Sequence, residues 1–317
     1  MQRRWIVGLA VIAFVTVLFV YWLSTVDIQG AAIWAALAAV HPLAVVAAIA
    51  LGAFEMILRA LRFRRALAHF GHPLSARRAW VAHVVGFFGG GLTPLRLGEV
   101  GKAVFLRARD ALPLAAGVAA NVVERLFDFV AISLLLLLSV LAITGLSSPL
   151  AFVALALLVV FLALYAALLL LPTPLLRECG PLRFLGPTIA AKLRGWLPPL
   201  VTETDASRSR LTAEMAGCSA AIVIVDLTVL LSLLAGLGTN ADVARVGFAI
   251  GLGTLAGIAS LLLGGLAVTE ASYTVLLVQG DVPPAIALVA VLLARLLTFY
   301  PYMVLGWAYG VREVAVG

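Results

Sequence analysis

The sequence predicts an all-α polytopic membrane protein of about six transmembrane helices, with two re-entrant hairpins arranged as a 3+3 inverted repeat. Three observations carry this. Mean hydropathy is +1.15 and only 12% of residues are charged, far outside the globular range. Runs such as "AISLLLLLSVLAIT" are continuously apolar rather than alternating, so their backbone hydrogen bonds close within helices and not in a barrel. Two further apolar stretches are interrupted by glycines and carry charged residues.

Taken in order, Arg3 and Arg4 precede an apolar run over residues 5–23. The bulky "VYWLSTVD" that ends this run offers no small-residue cleavage site, so it reads as a retained first helix rather than a leader. Residues 31–40 are too short to span, and His41 and Pro42 then break the chain, which predicts an outer interfacial segment. The remaining crossings fall near residues 43–58, 113–144, 151–171, 213–235 and 284–309. Residues 172–210, rich in proline and charge, form a connector on the membrane surface.

Lys and Arg concentrate in cytoplasmic loops, and this orients the chain. With both termini cytoplasmic, 18 of the 22 basic residues lie inside, Arg245 alone lies outside, and Arg96, Arg125 and Arg295 fall within the membrane region. The expected location is the cell membrane, with one integral domain over residues 1–317. It divides into halves 1–144 and 145–317, holding hairpins 79–109 and 246–280.

The first hairpin contains "GGGLTPLRLGEVGKA". Its apolar arm, residues 79–92, reaches only about 21 Å as a helix, short of a hydrocarbon core of about 30 Å. Basic residues flank it at both ends, so the chain enters from the cytoplasm and returns. Gly89, Gly90, Gly91, Pro94 and Gly98 permit the reversal. Irregular backbone at this depth is tolerated only inside protein or beside a wet cavity, which makes the tip a candidate site. The second hairpin, with Gly264 and Gly265, has weakly charged flanks and dips in from outside.

The two regions also match each other. At an offset of 171, Glu99 and Asp110 correspond to Glu270 and Asp281; at 170, Pro113, Arg125 and Phe129 correspond to Pro283, Arg295 and Phe299. An odd number of crossings separates them, so the copies point oppositely, the arrangement in which paired broken segments mark a midplane binding site. The alternative is tight helix packing through small residues, as Gly253 and Gly257 would provide.

Charges inside the membrane region are Glu55, Arg96, Glu99, Glu124, Arg125, Asp128, Asp226, Glu270 and Arg295. Each costs about 2.5–3.5 kcal/mol at a helix centre unless a partner or a wet cavity offsets it. Glu124 and Asp128, at i and i+4, share a face, and a cation from elsewhere, Arg96 or Arg295, is expected to meet it. The functional expectation is that Arg96, Arg125 and Arg295 receive a phosphate-bearing headgroup while Glu99 and Glu270 position them or carry protons. Lys102 and Tyr273 complete the candidate substrate-binding set. Structural ion pairs that lock the bundle are the other reading.

The segments "LTPLRLGEVGKA", "NVVERLFDF" and "LLLGGLAVTEASYTVLL...LLARLLTF" resemble the signature segments of the lysylphosphatidylglycerol synthase/flippase transmembrane family. Pro94, Arg96, Gly98 and Glu99 match its first motif, with Leu95 in place of a glycine. Gly264, Gly265 and Glu270 match its later motif, with Leu263 in place of a proline and Ala267 of a glycine. The resemblance implies movement of a lipid between leaflets, with anionic phospholipid or a polyprenyl-phosphate-linked sugar as the partner. Aminoacylating members carry a soluble transferase domain after the membrane part; the chain ends at Gly317, so lipid synthesis is not expected.

Other chemistries find little support. Gly101 and Lys102 fail the phosphate-loop pattern because Arg96 and Ala103 occupy its other positions, and Gly251, Gly253 and Ala256 follow no strand. His41, His69, His72 and His83 lack zinc-ligand spacing and read as interfacial, while Cys179 and Cys218 form no disulfide framework. No pattern calls for a metal or a cofactor. The net charge of +7 gathers on one membrane side, which favours anionic lipid over nucleic acid. A membrane-embedded enzyme using the carboxylates as acid and base, and a structural or partner-binding subunit, are the rival classes. Assembly is left open, a homo-oligomer included.

Overall fold

A computed structural model describes residues 30–170, 205–260 and 262–316. Every regular element among them is helical. The run over residues 5–23 and most of the proline-rich connector lie outside the described residues. The end of the connector does not: residues 205–210 already belong to a transmembrane helix.

The short helix α1, Gly30–Ala39, stops at His41, which caps α2, Pro42–His69. The His41 ring nitrogen accepts from the Leu43 amide at 3.3 Å, and Pro42 sits where a missing N–H costs nothing. The crossing expected to end at residue 58 therefore continues to His69, carrying Arg59 and Arg62 with it.

Next comes the first hairpin. Helix α3, Ala76–Gly91, is capped by Ser75; a 3-10 stretch, Pro94–Val100, and α4, Gly101–Asp110, return the chain. With 16 and 10 residues, the two arms extend about 24 and 15 Å, too short to cross. Thr93 pins the tip: its hydroxyl donates to Gly89 O at 3.0 Å and accepts from the Gly98 amide at 2.6 Å. Gly98 lies so close to the facing arm that a Cβ there would stand 2.0 Å from Gly89 O.

Two long helices follow, α5 Leu114–Thr144 and α6 Pro149–Leu170, then α7 Asp205–Gly236. The second hairpin is α8 Val243–Ala259 and α9 Val268–Gln279, joined through Leu263–Gly265. Gly264 takes φ +57°, and a Cβ on it would lie 2.9 Å from Gly91 O, so the two hairpin tips meet backbone to backbone.

The last apolar run, expected as a crossing over residues 284–309, is one span made of two consecutive helices. Helix α10, Pro284–Thr298, ends at Phe299, and α11, Tyr300–Val316, begins just before Pro301. Proline supplies no N–H and disfavours helical backbone in the residue before it, which accounts for the break. Five described segments are long and apolar enough to cross a membrane: α2, α5, α6, the part of α7 from Ser209, and α10 with α11.

Apolar clusters flank a polar middle. One joins Phe63, Leu67, Leu106, Ala120, Phe127 and Met215; another joins Ala48, Leu233, Ala249, Leu277 and Ala290. Large apolar side chains such as Leu138, Phe152 and Val304 point outward, the pattern of a bundle whose solvent is lipid. His83, expected at an interface, is instead buried in α3 with neither ring nitrogen hydrogen-bonded. It shares the inward face of that arm with Ala79, Gly86 and Gly90.

A candidate charged chamber between two hairpins

Where the hairpin tips meet, residues of both hairpins and of α2, α5, α7 and α10 enclose a cavity of about 140 Å³. Its wall carries four arginines: Arg59 from α2, Arg96 from the first tip, Arg125 from α5 and Arg295 from α10. Glu55, Asp128 and Asp226 are the carboxylates on the wall, and Thr254, Thr269, Tyr273 and Thr298 add hydroxyls. A polar cavity of this size within an apolar bundle has the partners to hold water.

Each arginine is held differently. Arg125 Nη2 lies 3.1 Å from Glu99 and 2.7 Å from Asp128. Arg295 Nε lies 2.8 Å from Glu270 Oε1 and its guanidinium sits 4.9 Å from the Phe299 ring centre. Arg59 pairs with Glu55 at 2.6 Å and reaches Asp128 at 3.9 Å and Asp226 at 3.8 Å. Arg96 has the loosest tie, 3.8 Å to Glu99, and lies over the faces of Phe87 and Phe299 at 5.5 and 6.0 Å. Its backbone adopts φ +55°, a region that side chains other than glycine rarely occupy and that concentrates at functional sites.

Behind the wall lies a second, more deeply buried layer. Arg62, fully buried, lies 2.5 Å from Asp128, 2.5 Å from the Ser219 hydroxyl and 3.3 Å from Glu124. Lys102 donates to the other oxygen of Glu124 and sits 4.3 Å from the Phe63 ring centre. Asp128 joins the layers, taking Arg62 on one side and Arg125 on the other. Taken together, Arg59, Arg62, Arg96, Lys102, Arg125 and Arg295 balance Glu55, Glu99, Glu124, Asp128, Asp226 and Glu270 one for one.

Of the residues singled out from sequence, Arg96, Arg125, Asp128, Tyr273 and Arg295 line the chamber, as do Gly264 and Gly265. Glu99 and Glu270 stand behind their arginines, each only 4% exposed. Lys102 and Glu124 do not reach the wall; both are buried in the second layer. Gly89, Gly90, Gly91, Pro94 and Gly98 build the first tip. Tyr273 donates to or accepts from the Thr254 hydroxyl at 2.7 Å, tying the two arms of the second hairpin.

The cation that meets the Glu124 and Asp128 face is neither Arg96 nor Arg295. It is Arg62, helped by Lys102 and Arg59. Assigned to a cytoplasmic loop, Arg59 and Arg62 escaped the sequence reading. A signal was present: Gly52, Glu55, Arg59 and Arg62 recur at helical spacing, so a polar stripe continues past residue 58 on one face.

Among the described residues no group of three His, Cys, Asp or Glu side chains is placed to hold a metal ion. Five long apolar helices, two broken hairpins and a buried charged layer define a multi-pass helical membrane protein. A family model described as the lysylphosphatidylglycerol synthase transmembrane region matches residues 5–306, and the chain belongs to that family. A search of curated proteins gave no match.

Proposed function

We propose that the chain is a flippase-like transporter of the cell membrane that moves an anionic lipid headgroup, or one linked through a phosphate, between leaflets. The observation that supports this most is the chamber itself. Four arginines converge on a cavity at the meeting point of two broken segments, where lipid-facing helices surround a polar interior. Only the headgroup has to enter; acyl chains remain among the apolar outer side chains.

Charge balance constrains how the headgroup is received. Every wall arginine already has a carboxylate, so a phosphate must be exchanged for one rather than simply added. Arg96 makes the first contact in this reading, because its carboxylate is the most distant and its aromatic supports hold it in place without one. Arg125 and Arg295 follow as Glu99 and Glu270 yield, and the carboxylates then return to reset the site.

The matched pairs argue for two inverted halves. Glu99 with Arg125 and Glu270 with Arg295 occupy corresponding positions of the two sequence copies, and each joins a hairpin to the helix that follows it. In this reading the first hairpin opens toward the cytoplasm, where both termini also lie, and the second opens outward.

The test is transport in proteoliposomes loaded with labelled phosphatidylglycerol. Arg125→Ala and Arg295→Ala variants that still fold should lose most of the leaflet exchange that the unaltered chain supports. Full exchange in both would end the assignment.

A further inference from the structure

A second cavity, of about 470 Å³, lies at the mouth of the first hairpin, away from the chamber. Its wall is formed by Ser75, Arg77, Arg78, Asp110, Tyr309 and Arg312, which bring together the first turn of α3, the end of α4 and the end of α11. Arg78 is engaged, with its Nε 2.9 Å from Asp110. Arg77 and Arg312 are exposed, and among the described residues neither has a carboxylate within ion-pairing distance.

The backbone adds to this positive field. Ser75 Oγ accepts from the Arg78 amide at 3.3 Å, and the amides before it open the 16-residue helix toward the cavity mouth with the positive end of its dipole. A free anion in water would need no more. Beside the cavity, however, α11 also exposes Pro301, Leu305 and Ala308, which at i, i+4 and i+7 form one apolar stripe that Arg312 continues at i+11. A basic pocket continuous with an apolar stripe fits a ligand with a charged head and a greasy tail.

We propose that this cavity binds the phosphate of an anionic phospholipid in the leaflet that the first hairpin opens onto. Arg77 and Arg312 take the phosphate oxygens, Tyr309 adds a hydroxyl, and an acyl chain lies along Ala308, Leu305 and Pro301. The site goes beyond the transport reading and stands without it. It tethers α11 to the hairpin mouth, since its two free arginines come from those two elements.

Native mass spectrometry of the full chain in detergent tests this, with phosphatidylglycerol and inorganic phosphate as separate probes. The unaltered chain should retain phosphatidylglycerol, and Arg77→Gln/Arg312→Gln should weaken that retention roughly 10- to 30-fold. Arg107→Gln, an exposed arginine of the same mouth outside the cavity, should behave as the unaltered chain. The comparison is repeated in an Arg295→Ala background, where chamber binding is impaired, and the same roughly 10- to 30-fold weakening there separates this site from the chamber. Equal retention by the double variant and the Arg107 control overturns the proposal. So does displacement of the lipid by an equal concentration of inorganic phosphate, which would make the cavity a free-anion site.

Discussion

Arg295 of α10 approaches Glu270 of the second hairpin to 2.8 Å, and Arg125 of α5 approaches Glu99 of the first to 3.1 Å. In each case the carboxylate is buried behind the arginine that faces the chamber. Neither half-pair is comfortable alone in an apolar bundle: removing one partner of a buried pair costs about 3–5 kcal/mol because the other charge is stranded.

Glu270→Gln and Arg295→Gln are each expected to lower the thermal unfolding midpoint in detergent. The double variant should recover much of the loss, because no stranded charge remains. Strictly additive losses would mean that the two groups do not depend on each other.

The two charged layers should separate by phenotype. Arg62→Met leaves the Asp128 and Glu124 pair one buried cation short and is expected to cost about 3–5 kcal/mol of stability, seen as poor recovery of monodisperse protein. Arg96→Gln removes a cation that has only a 3.8 Å carboxylate contact, so the protein should fold normally while leaflet exchange falls. A stable Arg62→Met, or an unfolded Arg96→Gln, would reverse the roles given to the two layers.

At the first tip, Gly98→Ala forces a methyl group against Gly89 O and should cost about 1–3 kcal/mol or more, through overpacking that the backbone cannot relieve. Three residues on, Gly101→Ala meets open space and should be neutral or mildly stabilising, by up to about 1 kcal/mol. Thermal midpoints of the two variants make the comparison. Equal behaviour would mean that the arms are not packed as closely as described.

Single cysteines report the direction of each hairpin. With Cys179 and Cys218 replaced by serine, Arg107→Cys should react with an impermeant maleimide from the cytoplasmic side and Asn240→Cys from the opposite side. Labelling of both from one compartment would remove the inverted arrangement and the transport scheme with it.

The membrane class, the helical composition and the breaks at the two hairpins were legible from residues 79–110 and 251–281 and from the long apolar runs. Legibility failed at the helix that mattered most for charge. Hydropathy drops at Arg59, which suggested a loop, yet α2 continues because Arg59 and Arg62 find carboxylates on α5 and α7. The last crossing, read near 284–309, stands as one span over Pro284–Arg312; the kink inside it, where α11 starts beside Pro301 and Phe299 reaches the chamber, was not read.

By itself the sequence determined what must be locally true: which stretches are apolar enough to enter a bilayer, and where glycine and proline prevent a straight helix. These properties belong to a few neighbouring residues and to the demand that lipid places on backbone hydrogen bonds. The tertiary structure alone decided which charge meets which. Arg62 and Asp128 lie 66 residues apart in the chain, and helical spacing names the face a side chain occupies but not the helix that comes to cover it. Hence Arg96 came to face the chamber while Lys102, on the same hairpin, was buried against Glu124.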